Sequence, residues 1–220
     1  MFDVFYNFML SFSLFIIYAF IGWIIEIIAA LINNHKFINR GFLIGPIIPI
    51  WGIGALMISW IVKPSDSVLG LIVSSAFIGA VLEYVVNYMM EKIFKARWWD
   101  YSNLPFNIEG RIWLGSCLLF GVGGLLLIRY MNPFFTSVLL KIDKTFLCVL
   151  ATYALAIMII DICVSGNIIK NLKLSAYSLR KDYTEEVTKK VKQALKEKSY
   201  SFNRLLKAFP DVKFLFKSKK

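Results

Sequence analysis

Long apolar runs are the feature that most limits what this chain can fold into. Five runs are long enough, or nearly so, to cross the roughly 30 Å apolar core of a bilayer as helices. They are Phe8–Ile32, Phe42–Val62, Ser67–Met90, Ile112–Ile128 and Thr145–Ser165. Hydrophobic residues make up 58% of the 220 residues and charged residues 18%, which excludes a disordered chain. The sequence therefore predicts an all-α, polytopic membrane bundle with five transmembrane helices.

Two details of this prediction concern the end of the fourth run. The run is short, and we expect it to continue into Arg129 and Tyr130, whose polar ends can reach the membrane surface. The segment Phe134–Leu140 is apolar but too short to cross, so we expect it to lie at the interface. A sixth span is the alternative.

The basic residues are concentrated near the C-terminus. Residues 166–220 contain 15 of the 25 Lys and Arg residues, so we expect a bundle over 1–165 and a basic cytoplasmic tail over 166–220. Lys and Arg favour the cytoplasmic side. The other basic residues that the topology places on the tail's side are Lys36, Arg40, Lys92, Lys95, Arg97 and Arg111. The prediction is an N-terminus outside and a C-terminus in the cytoplasm.

The tail has two helical patterns. Thr184 is a candidate N-cap with Glu185 and Glu186 in the first turn, and a second short segment covers Phe202–Phe209. These helices have three possible partners: anionic lipid headgroups, the underside of the bundle, or another protein. We expect no nucleic acid partner, because the tail leaves a membrane span.

Three acids interrupt the apolar runs: Glu26, Glu83 and Asp161. Each costs a few kcal/mol, on the order of 3, if it faces lipid, so we expect all three inside the bundle. Gly22 and Gly79 precede the two glutamates by four residues, which places glycine and acid on one helix face. A glycine there allows close helix packing.

The repeated pattern suggests a degenerate parallel duplication of a helical hairpin. Arg40 and Arg111 each stand at the base of the following run, so Glu26/Arg40 and Glu83/Arg111 are candidate equivalents. The third run extends its polar face through two further residues. Together these positions form a candidate polar chamber, which is either a structural ion-pair network or a ligand or proton site. Its members are Glu26, Arg40, Glu83, Asn87, Glu91, Arg111 and Asp161.

The loop over residues 92–111 is the longest between runs. Its aromatic residues are typical of an interfacial belt, but the interleaved polar residues also fit a lid beneath Glu26 and Glu83, and both interpretations stand. The candidate lid residues are Trp98, Trp99, Asp100, Tyr101 and Asn107.

Two further features concern local backbone and chemistry. Four glycines and two prolines crowd into residues 41–54, which predicts an irregular start of the second span with free carbonyls.

The 220 residues contain no GxxxxGK[ST], GxSxG or HExxH motif, and the three cysteines lie inside apolar runs. We therefore expect no metal or other cofactor, and inert packing for the cysteines.

Several ordered motifs match a known pattern. They are Gly22–Glu26, Asn39–Pro46, Pro49–Gly52, Glu83-Tyr84, Glu91, Trp98–Ser102, Pro105–Asn107 and Gly110-Arg111. Over about residues 10–130 they resemble a bacterial family labelled putative ABC-transporter permease, type IV, of the CmpB kind. Trp51 stands where the family usually has tyrosine, and Phe120-Gly121 where it has Trp-Gly. The resemblance implies a multi-pass protein of the bacterial cytoplasmic membrane with a separate ATPase subunit, but no substrate or catalytic residue.

Three functions remain under consideration. The first is a permease subunit without its own ATPase, which the resemblance favours. The second is a membrane-embedded enzyme or lipid-handling protein with Glu26 or Glu83 as acid/base and Arg40 and Arg111 holding an anionic headgroup. The third is a non-catalytic scaffold or sensor with the tail as its binding module. The acids occupy only the predicted cytoplasmic half of the spans, which favours a one-sided cavity or a hydrophobic substrate.

Overall fold

The computed structural model describes residues 2–35, 37–64, 67–178, 199–209 and 212–214. The helices are α1 (Phe2–Asn34), α2 (Pro49–Ile61), α3 (Val68–Phe94), α4 (Leu114–Leu126), α5 (Asn132–Leu140), α6 (Lys144–Ser178) and α7 (Tyr200–Ala208). Two antiparallel strand pairs join β1 (Ala96–Arg97) to β4 (Lys213–Phe214), and β2 (Asn107–Ile108) to β3 (Ile112–Trp113). Lys36 and the predicted helix at Thr184 lie outside the described residues.

Four helical segments are long and apolar enough to cross a membrane. They are Phe2–Ile32, Val68–Phe94, Leu114–Leu140 and Lys144–Leu172. Many of their large apolar side chains are exposed, as expected of helix faces that meet lipid. The chain is therefore an all-helical, multi-pass membrane protein.

Helix α2 is shorter than the predicted second span. Its 13 residues correspond to about 20 Å of helix, less than the apolar thickness of a bilayer. The helix begins at Pro49, in the first turn where a missing N–H is tolerated, and not at Phe42. The preceding residues are non-helical, as their glycines and prolines predict. The count of five full-length helical spans is thus not confirmed.

The segment Phe134–Leu140, which we expected to lie at the interface, is not separate from the preceding helix. It belongs to α5, which continues α4 through one π-helical turn over Leu127–Met131. Pro133 gives the physical reason, because it lacks an N–H and its ring crowds the preceding turn, and the wider turn relieves both problems. The helix does run on through Arg129 and Tyr130, as predicted.

The side chains are buried in two separate clusters. The larger one lies within the bundle and combines residues of α1, α2, α3, α5 and α6 with the π-helical turn. The smaller one, which we call the tail core, joins α7 to the end of α6 and the start of the loop after α3. Its buried members are Ala96, Trp98, Ile169, Leu172, Phe202, Leu205, Leu206 and Val212. Helix α7 therefore packs against the bundle, and α6 extends past the predicted boundary at residue 165.

Glycines allow close packing within both helical hairpins. A Cβ on Gly52 of α2 would lie 2.7 Å from the carbonyl oxygen of Phe15 on α1. A Cβ on Gly121 of α4 would lie 2.9 Å from the carbonyl oxygen of Ile72 on α3. Both contacts are with backbone, which cannot move aside as a side chain can. Each hairpin thus contains one position that only glycine fits.

These contacts give a prediction for neighbouring glycines in α4. Gly121→Ala should lower the free energy of unfolding by about 1–3 kcal/mol, because the added methyl overlaps the α3 backbone. Gly123→Ala is the matched control, since a Cβ there meets nothing within 4 Å. Thermal or denaturant unfolding of the two purified variants in detergent measures the difference. Equal stabilities would contradict the packing described here.

Candidate functional site

Glu26 and Arg40 form a long, partly exposed ion pair. Arg40 Nη1 lies 3.4 Å from Glu26 Oε2, and about a third of each side chain is accessible, 34% for Arg40 and 31% for Glu26. Asn39 holds this part of the chain against α1, because its Oδ1 accepts from Trp23 Nε1 at 3.0 Å and from the amide of Gly41 at 3.1 Å. Arg40 is therefore positioned by its neighbours as well as by its charge.

Glu83 is more deeply buried, with only 7% of its surface exposed. Its Oε1 accepts a hydrogen bond of 3.1 Å from the hydroxyl of Tyr101 in the loop. Its Oε2 is buried and accepts no hydrogen bond from the described part of the chain. The hydroxyl of Ser116 lies beside this carboxylate and also 2.9 Å from the carbonyl of Trp113, and its single proton goes to one acceptor at a time. Oε2 is thus unsatisfied while Ser116 donates to Trp113.

The electrostatics of Tyr101 connect the two acids. Burial raises the pKa of its hydroxyl far above the ordinary value, and the charge of Glu83 raises this pKa further. The charge of Glu26 acts in the same direction, whereas Arg40 lowers the pKa. Tyr101 consequently remains a hydrogen-bond donor at any physiological pH, and its environment includes all three charged groups.

Two aromatic rings are seated against the glycines that share a face with the acids. The backbone of Gly22 lies directly against the side chain of Trp51, and that of Gly79 against the side chain of Phe120. The close approach predicted at these glycines is therefore confirmed. The Trp51 and Phe120 rings also contact each other, with centroids 6.1 Å apart. Each ring lies against its helix about one turn before the acid, toward the helix N-terminus.

Arg111 belongs to a different group of charges. Its Nη1 donates to Glu91 Oε2 and to Asn87 Oδ1, both at 2.9 Å, and its Nε donates to Glu109 Oε2 at 3.3 Å. Arg97 Nε also donates to Glu91, at 3.2 Å. The hydrogen bonds described for Arg111 go to these residues and not to Glu83, the partner that the duplication hypothesis assigns to it. The predicted chamber residues therefore form more than one cluster.

A tight turn directs Arg111 back toward the bundle. Glu109 and Gly110 have φ values of 51° and 67°, and the amide of Arg111 donates to the carbonyl of Ile108 at 2.9 Å. Two consecutive residues with positive φ are typical of a type I′ turn, which favours glycine at the second position. Asn107 Oδ1 accepts from the amide of Gly110 at 2.9 Å and fixes the turn.

The candidate lid residues have separate roles. Trp99 connects the loop to α3, because its carbonyl accepts from Asn87 Nδ2 at 3.2 Å. Asp100 accepts from the amide of Ser102 at 3.1 Å and lies 3.6 Å from Arg97. Trp98 points elsewhere: it is 3% exposed and belongs to the tail core. Of the five, only Tyr101 has a described hydrogen bond to Glu26 or Glu83.

Asp161 is engaged by the backbone before α2. Its two carboxylate oxygens accept from the amides of Ile44 at 2.9 Å and Gly45 at 2.8 Å, and Ser165 Oγ donates to it at 2.8 Å. The acid thus satisfies N–H groups that the irregular backbone leaves unpaired. Its contacts explain its presence in the span without a ligand.

Arg204 of α7 also binds this stretch of backbone. Its guanidinium donates to the carbonyls of Gly41 at 3.1 Å, Phe42 at 3.0 Å and Leu43 at 2.9 Å. Sequence reasoning predicted free carbonyls here but did not assign Arg204 to them. Arg204 and these carbonyls are about 160 residues apart in the chain, so no local sequence pattern indicates the contact. The planar guanidinium of arginine is suited to bind several acceptors at once.

Comparison of the chain with models of known protein families agrees with the resemblance that its motifs show. Residues 13–166 match the family described as putative ABC-transporter type IV. The chain belongs to this family. No curated protein and no solved structure matches the chain. The four long apolar helices and the family together identify a multi-pass membrane protein of transporter type.

The contacts of Arg204 give a prediction about backbone protection. Arg204→Ala should raise the hydrogen-exchange rate of residues 41–48 about tenfold or more, because three carbonyls lose a charged donor. Hydrogen exchange followed by mass spectrometry of this peptide measures the effect. Lys207→Ala is the matched control, since Lys207 is exposed on the same helix. Unchanged exchange in Arg204→Ala would show that the tail does not hold this segment.

Proposed function

We propose that the chain is the permease subunit of a membrane transporter and that a separate chain hydrolyses ATP. Membership of the ABC-transporter-type family supports transport. The 220 residues contain no P-loop motif, so the energy of ATP would have to come from another subunit. The observation that supports this proposal most directly is a group of polar side chains within an apolar bundle. From here on, the chamber means Glu26, Arg40, Glu83 and Tyr101 with the Trp51 and Phe120 rings. Of the predicted members, Asn87, Glu91, Arg111 and Asp161 are left out because they bind other groups.

The hydrogen bonds around Glu26 and Glu83 favour a binding site there over a structural ion-pair network. The Glu26–Arg40 contact is long and partly exposed, and Glu83 Oε2 is unsatisfied. By contrast, Arg111 is 6% exposed and fully engaged with acids and Asn87. Arg111 is therefore unsuited to hold an anionic headgroup beside Arg40, as the enzyme hypothesis requires. The geometry favours transport.

We further propose that the chamber opens toward the cytoplasm and that the chain makes five crossings. In this topology the non-helical residues 41–48 and α2 together form a broken second crossing. The hydrogen bond from the amide of Ile48 to the carbonyl of Ala19 supports this, because it places the start of α2 well within the length of α1. Irregular backbone at this depth is tolerated where protein covers it, and Asp161 and Arg204 supply that cover.

The duplication hypothesis also gains support from the ring and glycine contacts. Phe15, Gly22 and Glu26 in α1 have the same spacing as Ile72, Gly79 and Glu83 in α3. Their partners correspond as well, since Trp51-Gly52 and Phe120-Gly121 occupy matching places in the two contact sets. We propose that the two hairpins are diverged copies that meet at the Trp51–Phe120 contact. Between the two hairpins, the partners of the charged residues differ more than the glycine and ring contacts do.

The five-crossing topology predicts opposite locations for the two ends of the chain. In a cysteine-free background, Asp3→Cys should react with a membrane-impermeant maleimide added to intact cells. Tyr200→Cys, at an 86% exposed position, should react only after permeabilisation. Both sites reacting from the same side would instead support four crossings.

The permease proposal predicts a stable complex with an ATPase. The tagged chain, crosslinked and purified from its native membranes, should carry one P-loop protein in fixed ratio. That complex should hydrolyse ATP, and a substitution of the P-loop lysine in the partner should abolish the hydrolysis. An unrelated membrane protein with the same tag is the control. A chain that is purified without any such ATPase would contradict the proposal.

A further inference from the structure

We propose that the chamber binds an organic ammonium cation between Glu26 and Glu83, against the rings of Trp51 and Phe120. This inference rests on the chamber of the proposed function and names its ligand class. The favoured ligands are tertiary or quaternary ammonium groups with short alkyl substituents. Four observations support the assignment, and each concerns a different physical property of the chamber.

The first observation is the balance of charge. The chamber has two carboxyl groups, Glu26 and Glu83, but only one guanidinium, that of Arg40. When both carboxyl groups are ionised, it has one negative charge in excess. The Arg40–Glu26 distance of 3.4 Å is long for a charge-assisted hydrogen bond, and solvent reaches both groups. In that ionised state, electrostatic attraction favours a monovalent cation over an anion beside these groups.

The second observation is the unsatisfied oxygen of Glu83. Oε2 is buried and accepts no hydrogen bond from the described residues while the Ser116 hydroxyl donates to the carbonyl of Trp113, and Tyr101 binds Oε1. A buried acceptor without a partner costs free energy, and more when it is charged. Glu83 has 7% of its surface exposed and therefore lacks the solvent that compensates Glu26. A bound cation would neutralise this carboxylate.

The third observation is the pair of aromatic rings. Trp51 and Phe120 are partly exposed and contact each other at 6.1 Å, and each is seated on the glycine one turn before an acid. The faces of such rings attract ammonium groups, with tryptophan the strongest. Metal cations prefer oxygen ligands, so an aromatic wall distinguishes an organic ammonium from a metal ion.

The fourth observation is that the arginines described around the chamber, apart from Arg40, form their hydrogen bonds with other groups. The described hydrogen bonds of Arg111 and Arg97 go to Glu91, Glu109 and Asn87, which form their own network. Arg204 is occupied by backbone carbonyls. Among the contacts described, Arg40 is the cation that pairs with a chamber acid, and it pairs with Glu26.

The test is calorimetric binding of tetramethylammonium chloride to the purified full chain in nanodiscs, with sodium chloride at equal concentration in the reference titration. The wild-type chain should give saturable binding. Glu83→Gln and Trp51→Leu should each weaken this binding about tenfold through loss of charge and of ring contact. Asp3→Asn is the control, since it removes a carboxylate that is exposed near Lys144, and it should leave binding unchanged.

Arg40→Gln separates this inference from the alternatives. Removal of the competing cation should strengthen tetramethylammonium binding several-fold, on the order of fivefold, whereas a site for an anionic headgroup or phosphate would be lost. Glu26→Gln, at a partly exposed position, replaces Glu83→Gln if that variant does not fold. The inference is overturned if tetramethylammonium does not bind saturably. It is equally overturned if neither glutamate substitution weakens binding or if Arg40→Gln abolishes it.

The outcome is independent of the permease test. Cation binding is measured on the isolated chain, without an ATPase or any transport. A chain that forms an active ATPase complex but does not bind tetramethylammonium would retain the proposed function and lose only its ligand class. A chain that binds the cation but has no ATPase would keep the site and lose the permease proposal.

Discussion

The satisfaction of backbone polar groups before α2 is the constraint on which the rest of the arrangement depends. Glycines and prolines prevent a regular helix there, so several N–H and C=O groups need partners from outside a helix. Asp161 provides the acceptor for two amides and Arg204 the donor for three carbonyls. One acid from α6 and one base from α7 thus hold the backbone of residues 41–45, between Arg40 and α2.

The acids of this protein illustrate different ways of keeping a charge within or beside an apolar bundle. Asp161 is satisfied by backbone, and Glu91 by two arginines. Glu26 shares a long contact with Arg40 and retains some solvent, whereas Glu83 has one hydrogen bond from Tyr101 and an unsatisfied oxygen. The first two arrangements are complete without a ligand. The last two are less complete, because the Glu26–Arg40 contact is long and Glu83 Oε2 accepts no described hydrogen bond.

Sequence reasoning succeeded where the relevant physics is local. The apolar runs predicted the helices, and the i to i+4 spacing placed Gly22 with Glu26 and Gly79 with Glu83 on shared faces. It misplaced two helix bounds that prolines shift: the helix predicted from Phe42 begins at Pro49, and Phe134–Leu140 continues α4. It also failed where the decisive partner is remote, since Arg111 binds Glu91 in place of Glu83. Trp98 looked like an interfacial or lid residue, but the tail segments bury it.

The sequence by itself determined the membrane character of the chain, its family and the few positions where charge enters the apolar runs. These follow from run length, composition and ordered motifs, which need no knowledge of contacts. Only the tertiary structure decided which acids are compensated, because hydrogen bonds of 3 Å depend on segments that are distant in the chain. The pairing of Arg204 with residues 41–43 is the clearest case, since no periodicity or spacing links positions so far apart. Packing in three dimensions selects such partners from many equally plausible ones.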